Sequence, residues 1–91
     1  MIRLVLPREL AEAVGAAPSI EVVPAENLLD FLERLDSSHP GLRRRVLEVD
    51  GVVRPHLNIF VDDRLERRRD ARTILLDDGA EIWIMRAVSG G

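Results

Sequence analysis

The sequence predicts an α+β fold in which a mixed β-sheet packs on one main helix. Three observations predict it. Stretches of alternating apolar residues stand near both ends, at 1–6 and 81–88, and a third at 56–62. A leucine-rich segment, 26–35, carries helical spacing between them. Turn signals, Asp50-Gly51 and Asp77-Asp78-Gly79, separate the later segments. A period of two marks a half-buried strand and a period of 3.6 marks an amphipathic helix, so the two kinds of element are told apart by spacing alone.

Each element follows in chain order. Ile2, Leu4 and Leu6 alternate with Arg3 and Val5, which makes a strand that Pro7 stops. Leu10, Ala11 and Val14 give residues 8–17 a short helical pattern that Gly15 ends, and the β-branched run 19–23 is a second strand closed by Pro24. Over 26–35, Leu28, Leu29, Leu32 and Leu35 share one face while Asp30, Glu33 and Arg34 lie off it. The cluster from Ser37 to Gly41 is expected to break this helix, and residues 42–48 to add a further short helical piece. After Asp50-Gly51, Leu57, Ile59 and Val61 alternate with Asn58, Phe60 and Asp62 as a third strand. Residues 64–69 are polar and read as a connection or a short edge strand. The last strand, 81–88, is rich in Ile, Trp and Val. Two strands, a helix, a strand, a short strand and a final strand in under a hundred residues are the order of a β-grasp. One domain is expected over 1–86, with a flexible tail over 87–91.

Composition narrows the chemistry. With 46% apolar and 32% charged residues the chain is an ordinary folding domain. No stretch approaches the roughly 20 apolar residues that a membrane span needs, and no signal-peptide core opens the chain, so a cytoplasmic protein is expected. There is no cysteine, which excludes disulfides, thiolate metal sites and a cysteine nucleophile. A net charge of −3 argues against a nucleic-acid partner. All 13 basic residues are arginine, so no side-chain amine exists to form a Schiff base or to accept an isopeptide bond. His39 and His56 stand alone without carboxylates at ligand spacing, which speaks against a metal site. The runs Arg43-Arg44-Arg45 and Arg67-Arg68-Arg69 are interrupted by acids and have no aromatic neighbours, so they read as solvated surface in connections.

The chain closes on Ser89-Gly90-Gly91, directly after the last strand. A narrow tail without side chains can thread into an enzyme and present its carboxylate. Here the sequence resembles a family. The run from Leu76 to Ile82, followed by Ala87-Val88-Ser89-Gly90-Gly91, is similar to the C-terminal signature of the MoaD/ThiS sulfur carriers. Residues 57–63 are similar to their third strand and turn, and Pro40-Gly41-Leu42 to a common tripeptide. Arg86 departs from the pattern, since many relatives have proline before the tail. The resemblance implies a ubiquitin-like β-grasp. It also implies adenylation of Gly91 by an E1-like enzyme that consumes ATP, and then conversion of that carboxylate to a thiocarboxylate, with Gly90, Ser89 and Val88 threading into the enzyme. No cofactor would be bound by the carrier itself. Sulfur would pass to an accepting synthase. Residues 54–63 are most similar to carriers that serve cysteine synthesis, where a JAMM-type metalloprotease releases the product, and next to the small subunit of molybdopterin synthase. A ubiquitin-like modifier joined to target lysines through Gly91 would use the same tail.

The last strand carries one further expectation. If Ile82 and Ile84 face the core, then Trp83 and Met85 face away from it, beside Phe60. Such residues are enriched at interface centres, so Phe60, Trp83 and Met85 are expected to form an exposed partner-binding patch.

Overall fold

The computed structural model describes residues 1–22 and 24–87. Its strands are β1 (Ile2–Val5), β2 (Ser19–Val22), β3 (Leu57–Val61), β4 (Arg64–Glu66) and β5 (Glu81–Arg86), and its helices are α1 (Arg8–Val14), α2 (Leu28–Ser38) and α3 (Leu42–Val46), with a 3-10 turn at Ala71–Thr73. The five strands lie in the order β2-β1-β5-β3-β4. β1 and β5 run parallel, with Leu4 beside Ile82 and Val5 beside Trp83, and every other pairing is antiparallel. This is the mixed sheet that the alternation predicts.

Local chemistry accounts for the element ends. Gly15 adopts the left-handed conformation (φ 68°) that closes α1, where Ala16 N–H returns to the Ala11 carbonyl. Asn27 caps α2, its Oδ1 accepting from Asp30 N–H at 2.9 Å, a contact worth about 1 kcal/mol. The helix therefore starts at Leu28 rather than residue 26. It also runs on through Ser37 and Ser38, past the point where the breaker cluster predicts its end. Their hydroxyls donate to the Arg34 and Leu35 carbonyls one turn back, which lets serine stay helical. Arg43, Arg44 and Arg45 lie in α3 rather than in a connection. Between β3 and β4 the two turn residues Asp62 (φ 48°) and Asp63 (φ 74°) both have positive φ, as a two-residue hairpin of primed type requires. Asp62 is tied to the neighbouring strand as well, since its N–H donates to the Glu81 carbonyl and its carboxylate accepts from Glu81 N–H.

One face of the sheet is buried. Ile2, Leu4, Leu57, Ile59, Val61, Ile82 and Ile84 pack there with Leu28, Phe31, Leu32 and Leu35 of α2 and with Ala11, Val14, Leu42 and Val46 of the two shorter helices. α2 is the main helix, and α1 and α3 complete the layer. Among the described residues the one buried charge, Glu66, sits on the core face opposite Ile59 and accepts from Arg69. β5 is Glu81–Arg86, and Ala87 N–H donates to the His56 carbonyl at 2.8 Å; residue 88, the predicted end of the strand, lies outside the described residues.

Two outcomes test this arrangement. Ile84→Ala should cost about 2–5 kcal/mol of stability in a denaturant titration, since its side chain is fully enclosed. Asp70 caps the 3-10 turn by accepting from Arg72 N–H, and the Arg72 guanidinium beside it holds its carboxyl below the ordinary 3.8. A depressed carboxyl stabilises the fold above its unfolded value and loses that contribution as pH falls through its folded value. The difference in melting temperature between wild type and Asp70→Asn should therefore be full above pH 3.8 and narrow below it.

Candidate functional site

Strand alternation sorts the face of the sheet away from the helices. On it, Leu65 of β4 stands opposite Phe60 of β3, Phe60 opposite Trp83 of β5, and Trp83 beside Val5 of β1. Met85, opposite Asn58, lies two residues further along β5 on the same side. Trp83, Met85 and Leu65 keep 41%, 47% and 45% of their surface in water, whereas Phe60, flanked on both sides, is half-buried. The three helices bury their apolar residues in the core on the opposite face, so none of them covers this row. Phe60, Trp83 and Met85 line one open groove whose rim is Asp62, Asp63 and Glu81.

Polar contacts fix the centre of the groove. The Trp83 indole N–H donates to Glu81 at 2.6 Å, and Arg3 bridges Glu81 at 3.4 Å and the Ser19 hydroxyl at 3.0 Å. The indole is thus held in one orientation although it is solvent-facing, and a preset aromatic loses less freedom on binding. Leu65 and Val5 extend the apolar row beyond the predicted patch of Phe60, Trp83 and Met85. The signal for Leu65 was present, a single apolar residue between Arg64 and Glu66, but a three-residue strand is too short for alternation to stand out.

The last strand aims this surface at the chain end. Met85 precedes Arg86 and Ala87, where the described residues stop. Val88, Ser89, Gly90 and Gly91, the expected threading segment and reactive terminus, lie outside the described residues. Among the described residues, no group of three His, Asp or Glu side chains is placed to hold a metal ion, and no helix is long and apolar enough to cross a membrane. Arg86, the departure from the family pattern, donates to Glu9 of α1 and so ties the end of β5 to the first helix.

The ThiS family model matches residues 4–91, from the first strand through the terminal glycine. The chain belongs to the ThiS family. Small archaeal modifier protein 3 of Haloferax volcanii is 36% identical over 62 residues, which are 68% of this chain and 66%, just under two thirds, of that protein. The structure of the Amycolatopsis orientalis BexX/CysO complex contains a chain that superimposes with a TM-score of 0.83 at 23% identity, covering all of both chains. Small archaeal modifier protein 1 of Methanosarcina acetivorans superimposes with a TM-score of 0.74 at 27% identity, over 99% of this chain and 95% of its own. The ThiS-family chain thus has the ubiquitin-like β-grasp fold, and the proteins it resembles include a chain of the BexX/CysO complex and two small archaeal modifier proteins.

The exposure of the groove has a direct optical test, because Trp83 is the single tryptophan. Its emission should be red-shifted and readily quenched by acrylamide in the native protein. Trp83→Ala should destabilise the fold by well under the roughly 3–5 kcal/mol that truncating a core tryptophan costs.

Proposed function

We propose that this protein is a sulfur carrier whose working group is the carboxylate of Gly91, and that it acts as substrate and sulfur donor rather than as an enzyme. The family match that runs unbroken into Gly91 is the observation that carries this reading. In the proposed cycle a Gly91 carboxylate oxygen attacks the α-phosphorus of ATP on an E1-like enzyme, and pyrophosphate leaves. The acyl-adenylate that forms is then attacked at its carbonyl by sulfide (HS⁻), AMP departs with the bonding pair, and loss of the proton leaves a thiocarboxylate. The absence of cysteine fits a carrier whose sulfur resides on the main-chain terminus.

The groove of Phe60, Trp83 and Met85, with Leu65 beside it, is the surface by which the activating enzyme would grip the carrier. It stands at the root of the tail, so an enzyme seated there receives Gly91 within a few residues' reach. The acidic rim of Asp62, Asp63 and Glu81 calls for arginine or lysine on the partner, a complementarity that steers encounter and sets register. Downstream, a sulfur-accepting synthase would take the sulfur, with cysteine synthesis the first pathway on the strength of residues 54–63 and a JAMM-type metalloprotease releasing the amino acid. Molybdopterin synthesis is the second.

A modifier reading is favoured by one observation, the 36% identity to Small archaeal modifier protein 3. The same activated Gly91 would then be joined to lysines of other proteins. Since this chain has no lysine, it could not build chains of itself through side chains.

Intact mass of the protein isolated from its own host distinguishes the two. A carrier shows a subpopulation in which one oxygen has been replaced by sulfur. A modifier shows adducts of this chain on other proteins. Adding one residue after Gly91 should abolish ATP-dependent adenylation without altering the melting temperature, and adenylation of the extended chain without trimming would overturn the mechanism. Trp83→Ala should weaken binding to the activating enzyme by about 2 kcal/mol or more, the usual measure of an interface anchor.

A further inference from the structure

A second concave site lies on the helical side of the same chain end. Arg45 of α3, His56 before β3 and Arg86 at the end of β5 line a cleft whose apolar wall includes Leu10 and Ala13 of α1. Its volume, about 240 Å³, is below the roughly 300–1,000 Å³ of sites for drug-sized ligands and suits a group of a few atoms.

The arginines of this cleft differ in their partners. Arg86 donates to Glu9, which also lines the cleft, so that one positive charge is already matched. Arg45 has no such match. Its Nε is buried without an acceptor, and its guanidinium makes no ion pair or hydrogen bond among the described residues. Its Nε lies close to Gly41, 3.6 Å from where a β-carbon on that residue would stand. The Arg44 guanidinium approaches the same point equally closely, which adds like charge beside it. Arg45 as a whole is only partly buried and lines the cleft, and an oxyanion is the ligand that its guanidinium fits, because a fork of N–H donors matches two oxygens.

We propose that this cleft binds a single oxyanion, a carboxylate or a phosphate, with Arg45 as the principal donor and His56 and Arg86 beside it. The ligand is either an acidic side chain on a protein that holds the root of the tail or a free phosphate group. The site does not depend on the chemistry of Gly91. Glu9 competes for the same cations, so the occupied site is one in which the ligand shares or displaces it.

The test is a titration of the 15N-labelled protein at fixed pH and ionic strength, with sodium phosphate in one series and sodium acetate in another, read at the His56 and Ala87 amide signals. Saturable shifts with either anion are expected. Tighter saturation by acetate assigns the site to carboxylates, and tighter saturation by phosphate assigns it to phosphate groups. Arg45→Gln should lower the affinity about tenfold, the loss of one charge-assisted hydrogen bond. Arg45→Lys, which keeps the charge and loses the fork, should fall between. Glu9→Gln, which removes the competing carboxylate, should raise affinity, whereas Glu33→Gln, the same charge change on an exposed position of α2, should leave it unchanged. Far-ultraviolet circular dichroism confirms that each variant is folded. No saturable shift with either anion, equal affinity in wild type and Arg45→Gln, or equal gains from the two glutamate variants would each overturn the proposal.

Discussion

The parallel pairing of β1 with β5 is the constraint on which the rest of the molecule depends. Two parallel neighbours cannot be joined by a tight turn, so all the chain between them has to cross from one end of the sheet to the other. Here that crossing carries the three helices, and they cover one face. The other face receives none, because β2, β3 and β4 are spent as flanking strands. The division into a covered and an uncovered face thus follows from where the first and last strands meet. The alternation within β5 then assigns Ile82 and Ile84 to the first and Trp83 and Met85 to the second.

Much of this was legible in the sequence, and the reasons are specific. Alternation ties Ile82 to Ile84 and Trp83 to Met85 on opposite faces, and the structure buries the isoleucine pair as the sequence analysis expects if those two face the core. The pairing of Phe60 with Trp83 followed once β3 and β5 were taken as neighbours. Helix ends were less legible. Ser37 and Ser38 sit in a breaker-like cluster, and only their bonds to carbonyls one turn back show that they belong to the helix. The cleft at Arg45 could not be foreseen at all. Residues 45, 56 and 86 have no shared periodicity, and they meet only because α3, the approach to β3 and the end of β5 converge there.

The two faces treat their polar groups in contrasting ways. Among the described residues the covered face admits a single carboxylate, Glu66, at the short edge strand, and Arg69 matches it. On the uncovered face a chain of contacts runs from Ser19 through Arg3 and Glu81 to the Trp83 indole. Exposed ion pairs of this kind add little stability. Their effect is orientational, since they fix which edge of the indole is turned to the sheet and leave its apolar body toward solvent. An aromatic residue in such a place is set by its neighbours before any partner arrives.

The meeting of the first and last strands also bears on how the molecule comes to fold. Arg3 and Glu81 are paired across nearly the whole chain, and β5 takes its other bonds from β3, so the centre of the sheet consists of contacts distant in sequence. Hairpins such as β3–β4 and the short helices can form early and locally, but none of them supplies the strand around which the sheet closes. Folding rates fall as contacts become less local, because the entropy of closing the loop is lost before the contact returns anything. Truncation that reaches into β5 would accordingly leave local pieces without a sheet to join, rather than a smaller version of the same domain.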